Sequence, residues 1–176
     1  MTVQLRVASA ADAATLSALG RSTFTETFGH LYPPEDLAAF LQDHAPERYA
    51  AWANDPAYRI WLAERDAQAV GYAFAGPCDL PHAEVTPACG ELKRIYVDKR
   101  AQGAGAGSLL LQASLDWLQT PGRALWIGVW SENHGAQRLY GRHGFQKVGA
   151  YAFAVGKTRD HEFILRRLAS EIPPRA

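Results

Sequence analysis

The stretch from Glu91 to Leu118, ELKRIYVDKRAQGAGAGSLLLQASLDWL, decides how the rest of the chain is read. Its first eight residues, Glu91 to Asp98, predict a strand that enters the glycine-rich stretch. Its last third sets Leu109, Leu110, Leu111, Leu115 and Leu118 on or near one stripe, which predicts a helix with a buried face that Pro121-Gly122 stops. Between the two, Gly103, Gly105 and Gly107 alternate with Ala104 and Ala106. Glycine lets backbone come close to a ligand, and the first amides of a helix have no partner inside it, so this junction reads as an anion cradle. Phosphate is the expected guest, because unpaired amides and the positive end of the helix dipole stabilise negative charge without a lysine. A glycine-rich turn that merely permits tight packing is the alternative at this point.

Two common phosphate-binding signatures do not fit. A dinucleotide fingerprint read from Gly103 meets Ser108 at its third glycine position, and read from Gly105 it meets Leu110. No carboxylate closes the following strand, Leu125-Trp126-Ile127-Gly128-Val129-Trp130, and no Lys-Ser or Lys-Thr follows the glycines as a Walker A loop requires.

Ala124 to Trp130 is a nearly continuous apolar run, as in a central strand covered on both faces. Strand, helix and strand in that order imply a parallel pair. A helix over Asn133 to His143 ends at Gly144, and strands over residues 145–155 and 161–168 follow. Upstream, Gln4 to Val7 alternates like a strand, and Ser9-Ala10-Ala11-Asp12 resembles a capping box opening an Ala- and Leu-rich helix that runs to about Gly20 or Gly29. Pro33-Pro34 and Pro46 open two further helical stretches, the later one carrying Tyr49 and Trp52. Residues 58–63 and 70–75 flank a polar segment as the arms of a hairpin do, and residues 77–90, with three Pro and two Cys, read as a loop. The expected fold is α/β of the mixed kind, one domain over residues 1–169: a central sheet of six or seven strands, with a parallel pair at the ligand site, flanked by helices. Residues 170–176 are expected to form a flexible tail.

The 176 residues suffice for one hydrophobic core, and 48% hydrophobic with 20% charged residues excludes a disordered or fibrous class. Lys plus Arg and Asp plus Glu each total 18, so no global field draws in nucleic acid or an anionic membrane. With no leader-like N-terminus and no long apolar segment, the expected location is the cytoplasm. Cys78 and Cys89 fit neither a disulfide framework nor a CxxC motif and read as reduced thiols. His161-Glu162 begins like HExxH, but Leu165 holds the second His position, so no metal is expected. Oligomeric state has no signature; a homodimer is compatible with the sequence.

The strand from Glu91 to Val97 followed by Gln102, Gly105 and Gly107 resembles the Q/R-x-x-G-x-G/A signature of the GNAT N-acetyltransferase superfamily. Arg100, Gly103 and Gly105 also fit the pattern, and the distance from Val97 favours the later register. A second block, Trp130-Ser131-Glu132-Asn133, Ala136, Leu139-Tyr140 and Gly144-Phe145, resembles that superfamily's second acetyl-CoA motif. The resemblance implies that the amides of Gln102, Gly103, Ala104, Gly105, Ala106, Gly107 and Ser108 hold the pyrophosphate of acetyl-CoA, with CoA leaving as product. It further implies that the backbone of Ile95, Tyr96 and Val97 pairs with the pantetheine arm as an added strand would. Asn133 and Ala136 would contact the same arm and Tyr140 would sit near the sulfur; helix capping by Asn133 and a core position for Tyr140 are the alternatives.

Acetyl transfer to an amine in a ternary complex needs amide donors for the developing oxyanion, a proton for the leaving thiolate and a neutral attacking amine. Tyr140, with an ordinary pKa of about 10, is the candidate acid. Glu91 is the candidate base, placed by the two-residue period on one face with Lys93 and Ile95; a surface pair with Lys93 or Arg94 is its alternative. An irregular exit from this strand would free an amide for the oxyanion.

Phe24-Thr25-Glu26-Thr27-Phe28-Gly29, Tyr32-Pro33-Pro34-Glu35-Asp36-Leu37, Val70-Gly71-Tyr72 and the late Val155-Gly156 before Asp160-His161-Glu162 resemble the polyamine (spermidine/spermine) acetyltransferase branch. An aromatic wall of Phe24 and Phe28 with Glu26, joined by Glu35 or Asp36, would attract an alkyl polycation. Phe24 and Phe28 as core residues at helical spacing are the alternative. The function expected is therefore a small-molecule amine acetyltransferase, with a protein or peptide N-acetyltransferase and a noncatalytic acyl-CoA-sensing module as competitors.

Overall fold

The computed structural model describes residues 2–169, and the expected tail at 170–176 lies outside them. Seven strands, β1 (Gln4–Val7), β2 (Arg59–Arg65), β3 (Gln68–Pro77), β4 (Gly90–Val97), β5 (Leu125–Trp130), β6 (Gln146–Val155) and β7 (Thr158–Arg167), form one sheet in the order β1-β2-β3-β4-β5-β7-β6. All neighbours are antiparallel except β4 and β5. The β2–β3 hairpin closes through Asp66 and Ala67, both at positive φ (53° and 60°), as a two-residue type I′ turn requires.

The helices are α1 (Ala13–Phe28), α2 (Pro34–Leu41), α3 (Pro46–Asn54), α4 (Ala106–Leu118) and α5 (His134–Arg142). Strand alternation divides the core in two. Ile60, Leu62, Tyr72 and Phe74 pack against Leu16, Leu19 and Tyr49 of α1 and α3 on one face. Trp61, Ala63, Ala73 and Leu92 pack against Leu110, Leu111, Leu115 and Leu118 of α4 on the other, where Tyr140 of α5 joins them. Burying each such leucine stabilises the fold by about 1.5–3 kcal/mol. Leu109, expected near that stripe, is 44% exposed, because the stripe runs through 110, 111, 115 and 118 and turns residue 109 outward.

Ser9 and Asp12 do form a capping box, but around a short 3-10 turn, so α1 begins at Ala13. Gly20 does not stop α1. A Cβ there would stand 2.5 Å from Tyr49 Oη and 2.6 Å from His44 Nδ1, so this glycine lets buried polar groups approach the helix. The helix runs on to Phe28 and is capped by Gly29.

One irregularity creates the functional space. β4 and β5 pair only from Gly90–Leu92 to Leu125–Ile127 and then diverge, while β5 stays paired with β7 as far as Trp130. At the divergence the register of β3 on β4 steps from Ala75–Leu92 to Phe74–Arg94, leaving Lys93 as the extra residue of a β-bulge. A cleft therefore opens through the sheet and connects its two faces.

Candidate active site

On the α4 side the cleft is edged by backbone. Asp98 N–H donates to Val70 O at 2.8 Å, so by alternation Tyr96 also directs its peptide groups to β3, whereas Ile95 and Val97 direct theirs into the cleft. Of the three expected backbone partners, Tyr96 is thus turned the wrong way, a consequence of strand pleating that the motif alone does not reveal. Gln102 Nε2 donates to Val97 O at 3.1 Å and ties the glycine turn to the strand end.

That turn has the shape of a cradle. Gly103 and Gly105 have φ of +79° and +83°, and a Cβ built on either meets nothing within 4 Å. Gly105 is the N-cap of α4, and among the described residues the amides of 103–108 have no backbone acceptor. Gln102 departs from expectation: its own N–H donates to Lys99 O at 3.3 Å, closing a 3-10 turn, so the open amides begin at Gly103. A polar, glycine-lined concavity at a helix N-terminus fits a diphosphate.

Within the splay, Tyr140 is 5% exposed and lines a cavity of about 520 Å³ together with Asn133 and Ala136. Among the described residues its hydroxyl has no hydrogen-bond partner, and burial raises its pKa, so it carries its proton throughout the physiological range. Asn133 Oδ1 accepts from Ala136 N–H at 3.0 Å and caps α5; only its NH₂ group remains for a ligand.

The α1 side of the same cavity is aromatic and acidic. Phe24, Phe28, Tyr32, Phe40, Trp52, Tyr58 and Phe74 line it, with Glu91 and Arg94 from β4, Asp160 and Glu162 from β7 and Tyr151 from β6. Glu91 is buried and its Oε2 accepts from Lys93 Nζ at 3.0 Å and from Asp79 N–H at 3.1 Å. Burial raises its pKa, against the pull of Lys93. The expected surface pairing with Lys93 is therefore real but buried in the cavity wall. Ile95 does not share this face. It packs with the α4 cluster, because the bulge at Lys93 puts Lys93 and Arg94 on the same side and shifts the alternation by one residue. The expected irregularity of the strand thus lies in its middle, not at its exit. Glu162 Oε2 accepts from Tyr151 Oη at 2.7 Å, and burial raises its pKa as well. Tyr32 Oη donates to Asp160.

Of the three expected acceptor residues, Phe24 and Phe28 line the cavity and Glu26 does not. On α1 residues 24 and 28 share a face and 26 points the opposite way, to solvent, where its carbonyl accepts from Lys99 Nζ at 3.0 Å. Asp36 is also committed elsewhere. Its carboxylate accepts from Lys157 N–H at 2.8 Å and from Thr158 N–H at 3.0 Å, pinning α2 to the β6–β7 turn. The acidic side chains of the cavity, Asp160 and Glu162 above all, come instead from β7, and Tyr151 from β6; only the segment Asp160-His161-Glu162 hinted at them in the sequence.

A glycine turn at a helix N-terminus, a cleft through a parallel strand pair and an unpartnered tyrosine lining that cleft are the parts an acyl-transferring enzyme needs. The model of the acetyltransferase (GNAT) family matches residues 22–145, and the chain belongs to that family. It is 30% identical over 155 residues to an uncharacterized N-acetyltransferase of Lactobacillus delbrueckii subsp. lactis, covering 85% of this chain and 88% of that one. It is also 29% identical over 161 residues to one of Mycobacterium tuberculosis, covering 89% and 97%. Among solved structures, the PaiA N-acetyltransferase of Thermoplasma acidophilum, in complex with coenzyme A, superposes with a TM-score of 0.73 at 16% identity over 96% of this chain and 99% of that one, a likeness of fold. The protein is an N-acetyltransferase whose acetyl donor is acetyl-CoA.

Proposed function

We propose that the protein acetylates the primary amine of a small molecule, with the donor on the α4 side of the cleft and the acceptor on the α1 side. The observation that carries this reading is the cavity itself. It passes through the splayed β4–β5 pair, from Asn133, Ala136 and Tyr140 on the α4 side to an aromatic, acidic chamber on the α1 side, and the open amide turn follows in the chain just past the end of β4. Acetyl-CoA supplies an acetyl group activated as a thioester. The amides of Gly103 to Ser108 would hold its diphosphate, the edge groups of Ile95 and Val97 its pantetheine arm, and the NH₂ of Asn133 the same arm near Ala136. Tyr140, protonated and unbonded, would give its proton to the departing thiolate.

The amine must lose a proton, and two carboxylates, Glu91 buried and Glu162 half-buried, flank the chamber. Glu91 already carries an ammonium on one oxygen, which weakens it as a base, whereas Glu162 bonds only a neutral phenol. Both are proposed as proton acceptors, Glu162 the stronger. A polyamine acceptor, suggested by the sequence, loses Glu26 and Asp36 as supports but gains Asp160 and Glu162 beside an aromatic wall. A panel of amines assayed with acetyl-CoA by CoA release tests the reading: turnover with low-molecular-weight amines is expected, and activity confined to peptide N-termini would overturn it.

A further inference from the structure

Lys93 and Arg94 lie side by side on the acceptor face, yet they are treated differently. Lys93 Nζ is held by Glu91 and Asp79, each at 3.0 Å. Arg94, equally part of the cavity wall, has no carboxylate within ion-pair distance among the described residues. Its Nη1 donates to Tyr49 Oη at 3.3 Å, and its guanidinium lies over Trp52, Phe74 and Tyr49 at 5.2, 5.9 and 6.0 Å from the ring centroids. The groups that raise its pKa against the effect of burial are tyrosines, neutral at physiological pH. A half-buried cation held only by ring faces and one phenol keeps most of its donors free toward the cavity, where an anion can complete it.

We propose that the acceptor bears a carboxylate in addition to its amine, and that Arg94 is the specificity-determining residue that binds it; this rests on the small-molecule amine reading above. The planar fork of a guanidinium matches a carboxylate through two parallel hydrogen bonds, and Trp52 and Phe74 keep the fork fixed on its backing ring. Across the chamber Asp160 and Glu162 supply the opposite sign. With Lys93 neutralised by Glu91 and Asp79, Arg94 against β3 and α3 is the cation left without a carboxylate among the described residues of the cavity wall, and Asp160 and Glu162 line it from β7, a pairing of signs that suits a dipolar amino acid better than a molecule cationic at both ends.

The test compares amino acids and ω-aminoalkyl carboxylates with their matched primary amides and with putrescine and spermidine, using acetyl-CoA and the full chain. Carboxylates are expected to exceed their amides in kcat/KM by about 10- to 100-fold. Arg94→Gln should erase that ratio, mainly through a raised KM for the carboxylates, and Arg94→Lys, which keeps charge within the ring cage, should restore part of it. Melting temperatures of both variants separate this from unfolding. If amides or diamines serve as well as carboxylates, or if Arg94→Gln lowers both series equally, the carboxylate inference is overturned and amine acetylation stands. If no member of the panel is acetylated, the amine reading itself is overturned.

Discussion

The donor face of the cleft comes from two short stretches, residues 95–108 and 133–140, whereas the acceptor face gathers side chains from α1, α3, the loop at 79–81, β4, β6 and β7. The first works mainly with backbone: positive-φ glycines, open amides and a strand edge, all fixed by local geometry. The second works with side chains separated by more than a hundred residues, as in the Tyr32–Asp160 contact, and so depends on how α1 to α3 dock on the late hairpin. A face made of local backbone tolerates side-chain exchange but not a change of φ. A face assembled over long range should show the reverse.

Gly105→Val is the sharpest way to break the donor face. At φ +83° a β-branched residue is strained, and its side chain enters space that is otherwise empty. With several charge-assisted amide bonds at stake, CoA affinity by calorimetry should fall at least about 100-fold. Thermal stability should fall only by the backbone strain, about 1–2 kcal/mol, since no protein atom is displaced. Retained affinity would mean that the cradle lies elsewhere.

Tyr140→Phe comes next. Removing a general acid costs about 10²- to 10⁴-fold in turnover, and here the loss should fall on kcat, with KM for acetyl-CoA nearly constant. A uniform loss in affinity and stability would instead assign Tyr140 to packing, as its place in the α4 core cluster allows.

Smaller again, and on the acceptor face, is the choice between the two carboxylates. Both have pKa values raised by burial above the usual 4.5, so each holds its proton to higher pH and accepts another only above that shifted value. kcat/KM should therefore rise with pH along an acid limb and level off. Glu162→Gln should remove the limb and lower kcat/KM by about 10²-fold, the low end for a base that water can partly replace. Glu91→Gln should leave the limb in place; the opposite outcome would reverse the two roles.

The same contrast explains what could be read in advance. The strand, glycine turn, helix and parallel strand were legible because each is encoded by contiguous residues with a distinct period or a required φ. The aromatic wall is half legible: Phe24 and Phe28 share one face of α1, whereas the helical period sets Glu26 on the other side. Glu162, Tyr151 and the unpaired state of Arg94 were not legible, because their roles arise only when β7 lies beside β5 and when Lys93 bulges. A single inserted residue reverses every later facing in a strand, and no pattern in ELKRIYV marks where it falls.

The smallest effect concerns what holds the acceptor face together. Asp36 is 6% exposed and accepts three hydrogen bonds from the β6–β7 turn: Lys157 N–H at 2.8 Å, Thr158 N–H at 3.0 Å and Thr158 Oγ1 at 2.7 Å. Gly156 beside it has φ +57°, and a Cβ there would run into the carboxylate. The bond from the Lys157 amide, followed by that from the Thr158 hydroxyl, lowers the Asp36 pKa below its ordinary 3.8. A depressed folded-state pKa gives stability that is present above the unfolded value and lost as pH falls through the folded one. Asp36→Asn should therefore lower the melting temperature at neutral pH, and the gap from the unmodified protein should narrow only below about pH 3.8. CoA affinity, a property of the other face, should not move. A gap constant from pH 7 to pH 3 would show that the carboxylate's charge contributes nothing, and a parallel loss of CoA binding would show that the two faces are not separately built.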